Sequence, residues 1–387
     1  MDIFDADYGR LIEILKEHRY HETKVIPIVK KEVPGPSEIL FFFNYHFSQK
    51  NSFFKPTFFV DYYQRNFKLK KPYVFTLFEL FAKNVPVPTQ DLKTFVAAED
   101  VDSFINQGFL VEENNRISSK VRILPFFDLY ILIDPYDRTI EDYTYFGMDS
   151  IDFAEDVRLT LAGHRFRRSL DIGTGSGVQA LNVAHLSEEV NGIDINPRAI
   201  RFGQTNARIN NIENANFFES NLYESVNGKF DLVTSNPPFI FYPDEGYDPL
   251  TFRDGYGGKW GLELPSAILN GLDGVLENNG VAKMICVSLM IKGHDTFVKE
   301  VKKIFSEKNY KITIRPFKYF MRPNYFRFHR KHDVAYNIFY ILTLEKGSSY
   351  AFYMESMNPI VKLFDFMGIG LMYVYFYARR IIGLDPK

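Results

Sequence analysis

The chain has 387 residues, which exceeds the size of a typical single domain and predicts at least two. Its 46 lysines and arginines against 48 aspartates and glutamates give a net charge of -2, which does not favour nonspecific nucleic-acid binding but leaves room for a local basic face. The single cysteine, Cys286, excludes a disulfide within the chain, and its apolar surroundings predict a buried strand residue.

The N-terminus, from Met1 to Asp5, is acidic and lacks the basic and then apolar order of a signal peptide. We therefore expect a cytoplasmic protein. The apolar residues around Leu11 and Leu15 recur with a helical period, and Pro34-Gly35-Pro36 ends that pattern.

The rest of the first region, 1–142, alternates helical patterns with short strand patterns. Predicted helices at 75–81, 90–96 and 98–107 precede alternating strands that run to Leu132. This order suggests a mostly helical, winged-helix-like domain. Because the second helix carries only Lys93 as a base, we favour a helper or dimerisation role over DNA reading.

A glycine-rich turn follows the next predicted strand, 169–172. Gly173, Gly175 and Gly177 lie between that strand and a predicted helix at 178–185. Glycines let the backbone pass close to a ligand, and the helix that follows presents unpaired N–H groups, so we expect a nucleotide-like ligand here. A second strand ends about twenty residues later at Asp194, the spacing at which a carboxylate meets ribose hydroxyls.

A third strand, 230–235, ends in the tetrapeptide Asn236-Pro237-Pro238-Phe239. An amide, two rigid prolines without N–H donors and an aromatic ring are suited to holding a flat NH2-bearing group. Asn-Pro also begins many ordinary turns, so the tetrapeptide alone leaves both interpretations open.

Taken together, Asp171, the G-x-G-x-G turn and the N-P-P-F tetrapeptide resemble class I S-adenosylmethionine-dependent methyltransferases of the N-P-P-[FY] branch, over about 143–344. Members of that branch methylate exocyclic or amide nitrogens of adenine, guanine and glutamine. The resemblance implies an α/β fold with a seven-stranded Rossmann-like sheet over 143–346, S-adenosyl-L-methionine as cofactor and no metal.

The resemblance also implies a role for each matching residue. The cofactor would contact Asp171, Gly173, Thr174, Gly175 and Gly177 through its methionine part, Asp194 through its ribose and Ile195 through its adenine. Asn221 stands where such enzymes usually carry an aspartate that binds the adenine amino group, which is a departure from the pattern. Asn236, assigned to both the cofactor and the acceptor site, and the Pro237 carbonyl would bind the acceptor NH2, and Phe239 would stack on it.

Two further segments adjoin the predicted site. The segment 143–150 resembles the stretch that covers the cofactor in these enzymes, and we expect Ser150 to cap the helix that follows. After the tetrapeptide, a glycine-rich loop carries Arg253 and Asp254, which we assign to substrate recognition together with Pro238. A local ion pair that shapes the loop is the alternative for Arg253 and Asp254.

The stretch 315–332 interleaves arginines and lysines with phenylalanines and tyrosines and holds no acidic residue. Cations follow phosphates and aromatic faces stack on bases, so this stretch is the RNA-like part of the chain. Its place in the hairpin between the last two predicted strands favours packed aromatic residues and solvent-facing basic side chains, with RNA contact as the alternative. The apolar, aromatic tail, 347–387, predicts a packing helix or a homodimer contact, with membrane-surface attachment as an alternative and no stable membrane insertion.

Three function classes follow from the sequence. The first is an N-methyltransferase that acts on RNA or on a protein glutamine, the second is a methyltransferase of a small metabolite, and the third is a non-catalytic winged-helix binding protein. The glycine turn, Asp194 and Asn236 favour the first two over the third.

Overall fold

The computed structural model describes residues 2–21, 70–135, 137, 139–140, 142–241, 255–320, 326–347, 349–357, 359, 362–363, 365–367, 369–370 and 374. The predicted break at Pro34-Gly35-Pro36 and the candidate residues Arg253 and Asp254 lie outside these ranges, as does much of the apolar tail.

The elements, in chain order, follow the predicted alternation. The helices are α1 (Gly9–Glu17), α2 (Pro72–Leu77), α3 (Thr89–Lys93), α4 (Ala98–Asn106), α5 (Met148–Thr160), α6 (Val178–Val183), α7 (Pro197–Ile209), α8 (Glu263–Val275), α9 (Thr296–Phe305) and α10 (Phe326–Lys331). The strands are β1 (Val87–Pro88), β2 (Leu110–Glu113), β3 (Arg116–Ser119), β4 (Arg122–Phe126), β5 (Leu129–Ile133), β6 (Phe166–Ile172), β7 (Ser187–Asp194), β8 (Ala215–Glu219), β9 (Phe230–Ser235), β10 (Leu276–Ile291), β11 (His294–Asp295), β12 (Tyr310–Phe320), β13 (Val334–Lys346) and β14 (Ala351–Met354).

The main sheet has the order β14-β12-β13-β10-β9-β6-β7-β8, and β11 pairs with β10. Strands β6 to β10 are mutually parallel, whereas β13 is antiparallel to both β10 and β12. The predicted count of seven strands is therefore wrong. Over the residues that the structure describes, the sheet has nine strands, because β14 adds a parallel edge strand next to β12 and the short β11 folds back on the end of β10.

This topology places the predicted ligand residues at one edge of the sheet. The carboxyl ends of β6, β7 and β9 carry the glycine turn, Asp194 and Asn236 respectively. β12 also runs in the direction of these strands, so the chain between β12 and β13 leaves the sheet at the same edge. Ligands of open α/β sheets bind at this edge.

The N-terminal region forms separate small sheets. β1, β3 and β2 make a three-stranded sheet that follows α2, α3 and α4 in the chain, and β4 pairs with β5 as a hairpin. The predicted helix at 90–96 is shorter than expected, since α3 ends at Lys93. The predicted helix at 75–81 is longer than expected, because α2 continues into a π-helical turn, Phe78–Ala82.

Two asparagines of α7 join the N-terminal region to the sheet. The Asn206 side chain accepts from the Leu132 N–H at 2.7 Å and donates to the Leu132 carbonyl at 2.9 Å, and Asn210 makes the same pair of bonds with Tyr130. The Asn206 amide also donates to the Ser176 carbonyl in the glycine turn at 2.8 Å. The N-terminal region thus lies behind the glycine turn, on α7.

Part of the C-terminal extension packs against β12 and β13. The Asp365 carboxylate accepts from the Tyr319 N–H of β12 at 2.8 Å, and the Phe366 ring packs against Tyr319 and Tyr336. Leu363 and Met367 are more than half exposed. Throughout the described ranges, no helix is both long enough and apolar enough to cross a membrane.

Candidate active site

The glycine turn adopts a backbone that needs glycine. Gly173, Gly175 and Gly177 have φ values of 67°, 54° and 81°, in the left-handed region. A Cβ at Gly177 would lie 2.9 Å from Gly203 Cα and 3.0 Å from the Phe217 ring, whereas a Cβ at Gly173 would meet no atom within 4 Å. Gly177 is therefore required by packing, and Gly173 borders open space.

Asp171 lies directly beneath this turn. Its carboxylate accepts from the Thr174 hydroxyl at 2.7 Å and from the Thr234 hydroxyl at 2.8 Å, and it is 1% exposed. Burial raises the pKa of Asp171 to about 7, against the opposing effect of the two hydroxyls. The structure thus gives Asp171 and Thr174 bonds that tie the turn to β6 and β9.

We expect this buried carboxyl to make stability depend on pH. The pKa of Asp171 is raised from 3.8 to about 7 in the folded protein. Its protonation therefore contributes fully to stability below pH 3.8, and that contribution is lost as the pH rises to about 7. Between about pH 5 and about pH 8, the free energy of unfolding of the wild type should fall relative to Asp171→Asn by more than about 1 kcal/mol. Urea denaturation at both pH values measures this difference, and parallel pH dependence of the two proteins would contradict it.

The end of β7 carries a carboxylate next to an exposed apolar side chain. Asp194 accepts from the Gly175 N–H at 2.9 Å and from the Asn196 N–H at 3.0 Å, and burial raises its pKa despite these donors. Ile195 is 69% exposed. A fixed carboxylate beside an exposed aliphatic surface can bind the hydroxyls and the flat ring of a nucleoside.

The neighbouring candidate Asn221 is exposed after β8. Its side-chain nitrogen donates to Glu224 Oε1 at 2.9 Å, so the amide is held by a partner in its own loop. The preceding Ser220 hydroxyl accepts from the Ser225 N–H at 3.0 Å and shapes the same loop.

The side chain of Asn236 is held by the start of α5. Its nitrogen donates to Asp149 Oδ2 at 3.0 Å and to Ser150 Oγ at 3.1 Å. The expectation that Ser150 caps this helix is wrong, since α5 begins at Met148 after the N-cap Gly147, and the Ser150 hydroxyl faces Asn236 instead. Both hydrogens of the Asn236 amide thus have protein partners.

The rest of the tetrapeptide is packed from behind. Pro237 and Phe239 are buried and Pro238 is half-buried, and the Phe239 ring meets Phe339 edge to face at 5.6 Å between centroids. Among the described residues, no N–H donates to the Pro237 carbonyl. Phe239 is 7% exposed, so its ring is mainly a packing group in this structure.

The glycine-rich loop that begins at Gly255 supports the tetrapeptide. The Ile240 N–H donates to the Gly255 carbonyl at 2.7 Å, and the Gly257 N–H donates to the Ile240 carbonyl at 2.8 Å. A Cβ at Gly257 would lie 2.6 Å from both Phe239 Cα and the Pro238 carbonyl oxygen. Glycines here permit the loop backbone to lie directly against the predicted acceptor strand.

Much of the basic, aromatic stretch 315–332 is internal where the structure describes it. Arg315 pairs with the buried Asp156, which also binds Lys283 at 2.7 Å, and Lys318 is 6% exposed. The Phe317 and Phe320 rings pack on Phe339, which itself contacts Phe239. Among the described residues of this stretch, the exposed basic residues are Arg330 and Lys331.

The sequence did not reveal which residues hold Asn236. Asp149 and Ser150 are 87 and 86 residues before it, and only the fold brings them together. An acidic and a hydroxyl residue just before a predicted helix were visible, but that pattern predicts a cap. Thr234 was also missed, although its place one residue before the end of β9 puts it at the ligand edge.

Comparison with known proteins gives a consistent result. A family model described as the methyltransferase small domain matches residues 138–245. A Methanocaldococcus jannaschii protein named as an N5-glutamine methyltransferase is 37% identical over 122 residues, 31% of this chain and 61% of that protein. The release factor glutamine methyltransferase of Fusobacterium nucleatum is 35% identical over 153 residues, 37% of this chain and 41% of that protein.

A third relative has an RNA-directed name. The ribosomal RNA small subunit methyltransferase C of Erwinia tasmaniensis is 33% identical over 117 residues, which are 30% of this chain and 33% of that protein. The chain thus spans less than two thirds of the length of each of these three relatives. The family model and the relatives together confirm the predicted resemblance: residues 138–245 match the methyltransferase small domain family.

Proposed function

We propose that this chain is an S-adenosylmethionine-dependent N-methyltransferase whose acceptor is a planar NH2 group of RNA or of a protein glutamine. The observation that carries the proposal is the amide of Asn236. Both of its hydrogens are held by α5, so its oxygen is available to accept from a ligand at the carboxyl end of β9.

The cofactor site is proposed at the ends of β6 and β7. Open space at Gly173 leaves room for the methionine part, Asp194 offers a carboxylate to the ribose, and the exposed Ile195 offers an apolar surface to the adenine. The segment 143–147 supports this assignment, because Thr144 Cγ2 lies 3.8 Å from the Cβ position at Gly175. Asn221, Gly177 and Thr174 complete the proposed set, with Asp171 beneath it.

A glycine-to-alanine change at the open position tests the cofactor site. In Gly173→Ala the new methyl group enters the space proposed for the methionine part, and we expect cofactor affinity to fall at least about tenfold. Stability should change by only about 1–2 kcal/mol, because no neighbour is displaced and only the positive φ opposes alanine. Calorimetric titration with S-adenosylmethionine measures the affinity, and unchanged affinity in a folded variant would exclude this placement.

When bound, the cofactor supplies a methyl group on a cationic sulfur, so that transfer breaks a C–S bond, forms a C–N bond and leaves a neutral thioether. The chain then has to position the acceptor nitrogen and exclude water, and positioning of this kind contributes roughly 7–11 kcal/mol. The Asn236 oxygen and the Pro237 carbonyl accept from the two acceptor N–H groups and direct the nitrogen lone pair out of the acceptor plane. The nitrogen releases one proton to solvent. Phe239 and Pro238 border the acceptor in this proposal.

The surroundings of Asn236 bear on the class of acceptor. The chain between β12 and β13 leaves the sheet at the edge that carries Asn236, and Phe339 of β13 links the Phe317 and Phe320 rings of β12 to Phe239. The relatives are named for glutamine and ribosomal RNA substrates. A macromolecular acceptor therefore fits, and Arg253 and Asp254, which precede the loop that backs Phe239, remain our candidates for its recognition.

A small-metabolite acceptor is the second candidate. It is favoured by the pairing of Arg315 with Asp156, which engages one cation, and by the burial of Lys318, which removes another from the surface that RNA would contact. A net charge of -2 points the same way.

We further propose that residues 1–142 form a winged-helix-like domain, that 143–346 form the catalytic domain and that 347–387 form an extension. The order helix, β1, α3, α4, β2, β3 and the pairing of β1 with β3 support the first assignment. Because this region contacts α7 behind the glycine turn, we assign it a helper or homodimer role in a cytoplasmic enzyme.

Methyl transfer from labelled cofactor to separated fractions tests the acceptor class. We expect label in RNA or in protein and not in the metabolite fraction. Transfer to RNA should weaken steeply as salt rises, because phosphate contacts release counterions. Label confined to small metabolites would establish the second candidate, and a protein that binds no cofactor would overturn the enzyme proposal.

A further inference from the structure

One side chain of α5 stands at the centre of the contacts that hold Asn236. Asp149 Oδ2 accepts from the Asn236 side-chain nitrogen at 3.0 Å, and Asp149 Oδ1 accepts from the Tyr145 hydroxyl at 2.7 Å. The carboxylate is thus fixed at both oxygens, by one partner on each side. Tyr145 lies over Gly147, where a Cβ would overlap its hydroxyl, so the close approach depends on glycine at the N-cap.

The carboxylate of Asp149 determines which end of the Asn236 amide faces it. A carboxylate accepts hydrogen bonds and cannot donate them, so the side of Asn236 that faces Asp149 must be its nitrogen. Ser150 Oγ takes the second hydrogen at 3.1 Å. An amide turned by 180° would place its oxygen against a carboxylate, two acceptors in hydrogen-bond contact, and would leave the nitrogen facing the ligand.

We propose that Asp149 is a positioning residue that locks the Asn236 amide with its oxygen toward the acceptor, and that Tyr145 fixes the Asp149 carboxylate for this purpose. The catalytic consequence rests on the proposed function, because a turned amide would present N–H donors to an acceptor NH2 that itself donates. The orientation itself is a property of the protein alone.

The decisive variant is Asp149→Asn. It keeps the size of the side chain but replaces an acceptor-only carboxylate with an amide whose NH2 group can donate to the Asn236 oxygen, so the turned amide is no longer excluded. We expect kcat for methyl transfer to fall about 10- to 100-fold, whereas the affinity for S-adenosylmethionine should stay within about threefold and the melting temperature within a few degrees. Asp149→Glu should recover less than the full rate but more than Asp149→Asn, since a carboxylate remains.

Glu155→Gln is the matched control. It removes one negative charge from the same helix, nearly two turns after Asp149, so a general charge effect would lower kcat in both variants equally. Equal losses would overturn the proposal, as would an unchanged kcat in Asp149→Asn. A variant that loses stability and cofactor affinity in proportion to kcat would also overturn it, because a merely structural role predicts that pattern.

A second measurement does not depend on enzymatic activity. The Asn236 NH2 resonance, identified in asparagine-labelled protein by its absence from Asn236→Asp, should exchange slowly with water in the wild type. It should exchange at least about tenfold faster in Asp149→Ala, which removes one of its two acceptors. Equal exchange rates would overturn the proposed lock even if methyl transfer is observed. If the lock is present and no acceptor is methylated, the proposed function fails while this inference stands.

Discussion

Asn236→Ala is expected to lower methyl transfer by roughly 100- to 1,000-fold or more while S-adenosylmethionine still binds. The side-chain nitrogen of Asn236 is held by two residues of α5, which leaves the side-chain oxygen for a ligand. Alanine removes the oxygen proposed to align the acceptor nitrogen, and it leaves the glycine turn, Asp194 and Ile195 in place. Rate measurements at saturating cofactor, together with calorimetric titration of the cofactor, separate the two effects.

Asn227→Ala is the control for this variant. Asn227 is exposed in the loop before β9, and its side chain makes only a 3.4 Å bond to the Ser225 carbonyl. We expect wild-type rates from it. If Asn236→Ala loses cofactor affinity as strongly as it loses rate, Asn236 serves the cofactor and its proposed role toward the acceptor is wrong.

Gly177→Ala is expected to be the most destabilising single change in the glycine turn. Its φ of 81° opposes any residue with a Cβ, at about 1–2 kcal/mol. Its Cβ would also approach Gly203 and Phe217 at 3.0 Å or less, and overpacking of this kind adds roughly 1–3 kcal/mol. The free energy of unfolding from urea denaturation should therefore fall by roughly 2–5 kcal/mol.

Comparison with Gly163→Ala separates the cost of the positive φ from the cost of the overlap. Gly163 has almost the same φ, 83°, but a Cβ there would meet no atom within 4 Å. The difference in unfolding free energy between the two variants then measures the overlap with Gly203 and Phe217 alone. If both variants lose the same stability, the tight packing of α6 against α7 and β8 does not limit this position.

The central part of the fold was predictable because its residues carry local signals. Strand β9 occupies 230–235 as the apolar pattern predicts. The pattern at 295–305 predicts a helix, and α9 begins and ends within one residue of those bounds. The glycine turn and Asp194 also lie at the ends of the strands that the sequence assigned to them. Apolar runs bounded by glycine and proline are informative where a strand is buried on both faces.

The ends of the long strands were not predictable in this way. The apolar run 281–287 predicts a strand, whereas β10 extends over Leu276–Ile291. Pairing with β13 over eleven positions carries its end to Ile291, and the pair between Leu276 and Phe230 of β9 places its start before the polar residues Glu277 to Gly280. The pattern at 311–315 predicts a strand that ends at Arg315, whereas β12 continues past Pro316, where the register shifts and a proline is tolerated. Cross-strand pairing, and not local preference, decides both boundaries.

The candidate site shows the same division between local and long-range information. The residue types at Asp171, Asp194 and Asn236 pointed to their edge of the sheet, but their partners did not follow from the sequence. The cations Arg315 and Lys318 indicate a nucleic-acid surface, but the fold buries Lys318 and pairs the half-buried Arg315 with Asp156. A long-range acidic partner such as Asp156 cannot be recognised from a stretch that contains no acid of its own.

The product of the reaction tests the central claim most directly. With S-adenosylmethionine carrying a deuterated methyl group, we expect the label on the nitrogen of a planar NH2 group, an RNA base or a glutamine amide, identified by mass spectrometry of the digested acceptor. Asn236→Ala should yield none of this product above background. A methyl group found on oxygen, carbon or sulfur, or a wild-type protein that binds the cofactor but methylates no nitrogen in any fraction, would contradict the account.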